Sequence, residues 1–264
     1  MKANTHYNFD VTHVLDFEIF EEKSAVSSTY EIQFEQLESK NLHIEIRRNN
    51  FKVNGEKIES KLEKIFYEYT NAIFPVLFNI EERNFSLSNY AEIAERIVAK
   101  DEELKLEHDC VEFHDIRNGF LENAARDGHS MTQYFFSLGL MKVIMLCFQK
   151  TENHELYNFY WDIVPLETTL SWEGKIKYNS TSKTLSLEGY EIHKNELFEK
   201  IKAYGVGYQY PQKITEEDTH VIASVKNKTK FVNTKLDLEF SETVVEINNQ
   251  YFNYHETLSI NRNY

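Results

Sequence analysis

The chain has 264 residues, of which 41% are hydrophobic and 14% aromatic, and it carries a formal charge of −14 at pH 7. That hydrophobic share excludes a disordered chain, and the length allows one large domain or two small ones around a sizeable core. The acidic balance argues against a general phosphate-backbone binder, whose affinity comes from Lys and Arg releasing counterions, and it suits a cationic partner.

The N-terminus, MKANTHYNFDVTHVLDFEIF, lacks the uninterrupted apolar segment and small-residue cleavage site of a secretory signal, which gives the expectation of a cytoplasmic protein. The first 54 residues then read as strands. Leu15, Phe17 and Ile19 alternate with Asp16 and Glu18, Tyr30, Ile32 and Phe34 with Glu31 and Gln33, and Leu42, Ile44 and Ile46 with His43 and Glu45. One face of each looks inward and the other meets water. Asn54-Gly55 is a turn signal.

The period changes after that turn. Ile58, Leu62, Ile65, Tyr69 and Ile73 line one helical face, ended by Pro75. Val76 to Ile80 reads as a short buried strand. Asn89 with Glu92 suggests a capped helix start followed by Ile93, Ile97 and Leu104, and Phe113, Ile116, Phe120 and Ala124 mark a further helix. Tyr134 to Phe148 is almost wholly apolar; with the capping box Ser130-Met131-Thr132-Gln133 ahead of it, it predicts one buried helix over 130–148. A bilayer span would need about 20 such residues, and Lys142 interrupts this run. Of the two cysteines, Cys147 lies inside that helix as a small hydrophobe, and two are too few for a disulfide framework.

From Tyr157 onward the pattern returns to strands: Leu166 to Trp172 leading to a turn at Gly174, Ile176 and Tyr178 leading to Asn179-Ser180-Thr181-Ser182, then Leu185 and Leu187. His193 to Tyr204 reads as a short helix and Gly205-Val206-Gly207-Tyr208 as a loop. Val221–Val225, Leu236–Phe240, Val244–Ile247 and Tyr251–Ile260 read as the last strands. Without repeats or Pro/Gly-rich linkers, the whole predicts a single α+β domain over 1–264, with strands at about 11–54, helices at about 56–148 and strands at about 157–260. The expected architecture is a curved antiparallel sheet from the N- and C-terminal strands, packed on a central helical cluster.

Motifs for chemistry are sparse. The segment Glu107-His108-Asp109-Cys110-Val111-Glu112-Phe113-His114-Asp115 holds two His-Asp doublets, which resemble those of the metal-dependent phosphohydrolases named for that pair. The resemblance is confined to the doublets and implies a metal-activated hydroxide. In a helix Cys110 and His114 share a face, but His108 and His114 diverge, so a further ligand such as His129 would be needed. A solvated helix start, where acids are favoured by the dipole, accounts for the same residues. Cys110 has acidic neighbours, which raise a thiol's pKa rather than activate it. Gly205-Val206-Gly207 lacks the rest of a phosphate loop, and no nucleophile elbow or zinc helix is present in the sequence. Matches to N-x-S/T at Asn84, Asn179 and Asn227 carry no weight without a secretory route.

The aromatic runs are more suggestive, because Tyr and Trp with polar edges anchor interfaces as readily as they fill cores. Trp161, Tyr208 and Tyr254 are the expected partner-binding residues. The sequence therefore predicts a non-catalytic protein-interaction protein with no cofactor and no metal, binding another, basic protein rather than nucleic acid or membrane. It would be either an inhibitor or immunity protein or an accessory component of an assembly. The alternatives are a metal-dependent hydrolase centred on His108–His129 and a carrier of small apolar ligands.

Overall fold

The structure, a computed structural model, describes residues 5–37, 42–81, 84–124, 128–148, 156–191, 194–207, 220–232 and 237–264. The described residues form eleven strands and six helices, an α+β fold as the residue patterns predict. The strands make one open antiparallel sheet in the order β5-β4-β3-β2-β1-β11-β10-β9-β8-β7-β6. They are β1 (Thr5–Ile19), β2 (Glu22–Leu37), β3 (Leu42–Val53), β4 (Val76–Glu81), β5 (Asn84–Leu87), β6 (Leu156–Ile163), β7 (Thr168–Asn179), β8 (Thr184–Glu191), β9 (Ile222–Phe231), β10 (Leu238–Asn249) and β11 (Phe252–Asn263). The helices are α1 (Lys61–Ala72), α2 (Tyr90–Glu107), α3 (Val111–Ala124), α4 (Gly128–Ser137), α5 (Gly139–Phe148) and α6 (Lys194–Gly207). No described helix is long and apolar enough to cross a membrane.

Two compact units are distinguishable: one from Met1–Val11, Thr29–Met145 and Arg262–Tyr264, the other from Thr12–Ser28 and Leu146–Asn261. In the first, α1 buries Ile65 and Tyr69, and α2 buries Ile93, Ile97 and Leu104, the faces that the three- and four-residue spacing predicts. Arg48 follows Ile44 and Ile46 in the inward phase of β3. Its guanidinium lies 5.1, 5.4 and 4.9 Å from the ring centres of Phe51, Tyr67 and Phe74 and donates to Thr70 Oγ1 at 3.1 Å, which docks α1 on the sheet. Burial lowers the affinity of this guanidinium for its proton and raises the nearby Tyr30 phenol to about 12.

Two local expectations are corrected here. Asn89 precedes α2, but its side chain does not cap that helix; it accepts from Leu77 N–H at 2.8 Å and donates to Pro75 C=O at 3.1 Å, tying the helix start to β4. The long apolar helix is two helices, α4 and α5, broken at Leu138. Ser137 Oγ donates to Tyr134 C=O at 2.7 Å, the acceptor that Leu138 N–H would use in a continuous helix. Leu138 N–H turns instead to Phe135 C=O at 3.2 Å. A serine hydroxyl competing for a backbone carbonyl, followed by Gly139, ends the first helix. Phe135, Met141, Val143 and Ile144 are buried all the same. The side chains of His129 and Cys147 lie outside the described residues.

In the second unit β6 to β11 form a meander, closed at each described turn by antiparallel pairs. Gly174 and Gly189 do not turn the chain: they are directly paired in mid-strand. A Cβ on Gly189 would meet Val225 at 2.8 Å and Phe159 at 3.2 Å, so the glycines make room for the stacked rings of Phe159 and Trp172, whose centres are 6.4 Å apart. The segment 205–207 is not a loop but the end of α6, where a Cβ on Gly205 would strike the Phe20 ring. Asn227 is buried and donates to Ser241 Oγ, Thr243 Oγ1 and Glu242 C=O, which explains why this N-x-T match is structural.

Candidate functional site

Two of the three aromatic residues expected to bind a partner converge on one carboxylate in the second unit. Trp161 from β6 donates through Nε1 to Glu256 Oε2 at 2.6 Å, and Tyr254 donates its hydroxyl to the same oxygen at 2.6 Å. His13 Nε2, on β1, lies 2.7 Å from Glu256 Oε1. Trp161, Tyr254 and Glu256 are 5%, 2% and 6% exposed. The surface position expected for these two rings is thus corrected: they are core, and their polar edges are spent on a buried acid. Burial, then the Glu256 charge, pushes the Tyr254 phenol far above its ordinary value, so it remains a donor. Tyr208 lies outside the described residues. Glu256 itself was legible only as an acid in phase with Phe252, Tyr254, Leu258 and Ile260, all buried along β11.

The His-Asp segment connects α2 to α3. His108 packs its ring 5.9 Å from Phe113, while His114 is exposed with Nε2 3.2 Å from Asp109. The Cys110 carbonyl accepts the His114 N–H at 3.1 Å, opening α3. Glu112 is held below the usual carboxylate range by its own backbone N–H, then by the Cys110 thiol and the charge of Lys61. These are the contacts of a helix start. Among the described residues no three His, Cys, Asp or Glu side chains gather as a metal would require. An open groove of 490 Å³ in the second unit is lined by Phe17, Ala25 and Tyr254 together with Asp16, Lys23 and Glu246.

Two strongly exposed apolar side chains, Leu106 and Val111, flank the His-Asp segment. A second buried carboxylate, Asp101 of α2, sets their geometry. Tyr69 OH of α1 donates to its Oδ1 at 2.8 Å, Arg117 of α3 grips both oxygens at 2.7 and 3.1 Å, and Lys105 reaches Oδ2 at 2.8 Å. Burial acts to raise the Asp101 carboxyl, but the hydrogen bonds from Arg117, Lys105 and Tyr69 outweigh it and hold it at about 2. With Asp101 against Arg117, α2 and α3 run antiparallel about their short connection. Tyr69 stacked on Phe120 at 5.1 Å and Lys61 beside Glu112 run α1 parallel to α3. The start of α1, the end of α2 and the start of α3 therefore share one end of the layer. There Leu106 is 90% and Val111 72% exposed, with Leu62 and Phe66 also exposed on α1. Glu63, Glu107, Asp109 and Glu112 surround them, and between Tyr90 and Ala124 ten acidic side chains face four basic ones.

No protein-family model matches the chain, and no curated protein matches it. Among solved structures, one described as "lipid-protein interactions in lipovitellin" aligns over 98% of this chain with a TM-score of 0.47 and 6% identity. This chain spans 25% of the length of that one, and a likeness so distant carries neither fold nor function across.

Proposed function

We propose that this is a non-catalytic binding protein that takes a basic protein partner on the acidic, apolar end of the α1–α2–α3 layer. The observation that supports it is the pair Leu106 and Val111, 90% and 72% exposed between Glu107, Asp109 and Glu112. Large apolar side chains held out in water and rimmed by charge mark interaction surfaces more often than they serve the fold. The acids would steer a cationic partner into place and the apolar side chains would hold it. An inhibitor that masks a basic toxin and an accessory subunit both use such a surface. Affinity purification should recover one stoichiometric basic companion with the wild type and lose it with Leu106→Asp/Val111→Asp. Equal recovery by both proteins would reject this surface.

A further inference from the structure

A different surface, of opposite sign, lies on the second unit. On the outer face of β7, β8 and β9 the register sets Lys175, Glu188 and Lys226 in one row, Lys177, Ser186 and Lys228 in the next, and Asn179, Thr184 and Lys230 in a third. All five lysines are exposed. Lys230 pairs with Glu239 at 2.8 Å, but Lys175, Lys177, Lys226 and Lys228 form no ion pair within 4 Å among the described residues. Cross-strand neighbours stabilise a sheet when their charges are opposite. Across β7, β8 and β9 the row Lys177–Ser186–Lys228 has no acid, and the first it meets is Glu242, opposite Lys228 on β10.

The rows form a trough. The floor, along β8, carries the short side chains Thr184 and Ser186 with a single acid, Glu188, and the walls are lysines two strands apart, about 10 Å. Along each wall the lysines repeat every second residue, about 7 Å. We propose that this trough binds an extended acidic peptide segment of a protein partner, with acids at alternate positions. An extended chain presents alternate side chains to one side with the same repeat, so its acids meet successive lysines. The wall spacing admits one strand lying along β8. No aromatic ring lies among these nine positions for bases to stack on, and Lys offers point charges rather than the planar fork of Arg, which disfavours a nucleic acid strand. The chain's overall negative charge does not cancel the trough, because at physiological salt a field fades over about 8 Å.

The test uses a fluorescent peptide of about twelve residues alternating Glu and Ser, a single-stranded oligonucleotide of similar charge, and vesicles containing anionic lipid, each titrated with the whole protein. The peptide should bind at low salt and be released at high salt. Lys177→Glu/Lys228→Glu should weaken it by about tenfold or more, and Lys177→Gln/Lys228→Gln by less. Lys64→Glu/Lys202→Glu, an equal charge change on helices outside the trough, should leave binding within about twofold. Absence of peptide binding, equal loss in that control, or tighter binding of the oligonucleotide or vesicles through the same lysines would each overturn the proposal. None of these outcomes depends on Leu106 or Val111, so the two surfaces stand or fall separately.

Discussion

Asp101 in the first unit and Glu256 in the second are both buried carboxylates, each served by three side chains, yet they are compensated in opposite ways. Asp101 is met by two cations, Arg117 and Lys105, besides the Tyr69 hydroxyl. Glu256 is met by an indole, a phenol and an imidazole. Arg117 and Lys105 are partly exposed and can swing to water if their acid is removed, whereas Trp161 and Tyr254 are fixed in the core. The lesson is that the cost of losing a buried acid is set by what its donors can do afterwards.

The sharpest way to break that comparison is to replace each acid by leucine. Glu256→Leu removes the carboxylate that accepts from Trp161 Nε1 and Tyr254 OH, at about 1–3 kcal/mol for each donor, so a loss of about 2–6 kcal/mol is expected. Asp101→Leu orphans only the Tyr69 hydroxyl and should cost about 1–3 kcal/mol. Both tryptophans, Trp161 and Trp172, belong to the second unit, so their fluorescence follows the Glu256 variant, and helical circular dichroism, with five of six helices starting in the first unit, follows Asp101. Equal losses would mean that mobile cations are no cheaper to orphan than fixed rings.

Acid tests the Asp101 site through its charge. Asp101 has its folded carboxyl lowered from 3.8 to about 2, so the stability it contributes is present above 3.8 and is lost as pH falls through that value toward about 2. That contribution is on the order of 2 kcal/mol. Helical signal measured in a denaturant series from pH 5 to pH 2 should show the loss, and Asp101→Asn, which cannot ionise, should flatten it. An unchanged slope in that variant would assign the acid sensitivity elsewhere.

How much of this was legible depends on whether the signal is local. Alternation in β1, β2 and β3 and three-to-four spacing in α1 and α2 name their own buried faces, and Asp101 is visible as an acid in phase with Ile93, Ile97 and Leu104. In β6 the phase of Tyr157, Phe159, Trp161 and Ile163 against Asn158, Tyr160 and Asp162 already separates the buried Trp161 from the exposed Tyr160; the aromatic run hides it when read as a block. Gly174 reads as a turn residue in the sequence because its structural reason, Gly189 and the rings beside the pair, lies on neighbouring strands. The break at Leu138 turns on a single hydroxyl taking one carbonyl, which no periodicity records. The lysine trough needs the register of three strands, since Lys175 and Lys226 are brought together only through Glu188.

Removing one donor from each acid is a gentler form of the same comparison. Tyr69→Phe leaves Asp101 with both cations and should cost about 0.5–1 kcal/mol, while Tyr254→Phe leaves Glu256 with one buried donor and the half-exposed His13, and should cost about 1.5–3 kcal/mol. Chemical denaturation of the two variants decides the order, and a reversal would show that Glu256 relies on His13 more than on the phenol.

The smallest expected effect concerns residues that neither acid needs. Ile144 is buried in α5, and Ile144→Ala should cost about 2–5 kcal/mol, as deletion of a packed aliphatic side chain does. Leu106 and Val111 are as apolar but project into solvent beside the Asp101 cluster, so Leu106→Ser and Val111→Ser remove no packed contact and expose no buried donor. Their stability should stay within about 0.5 kcal/mol of the wild type by melting and denaturant titration. If these serines destabilise the protein by as much as Ile144→Ala, the side chains serve the fold, and the surface at the ends of α1, α2 and α3 loses the feature that marks it for a partner. If stability is unchanged while the basic companion is lost, packing is excluded as the reason for two large apolar side chains held in water, and recognition is the reason that remains.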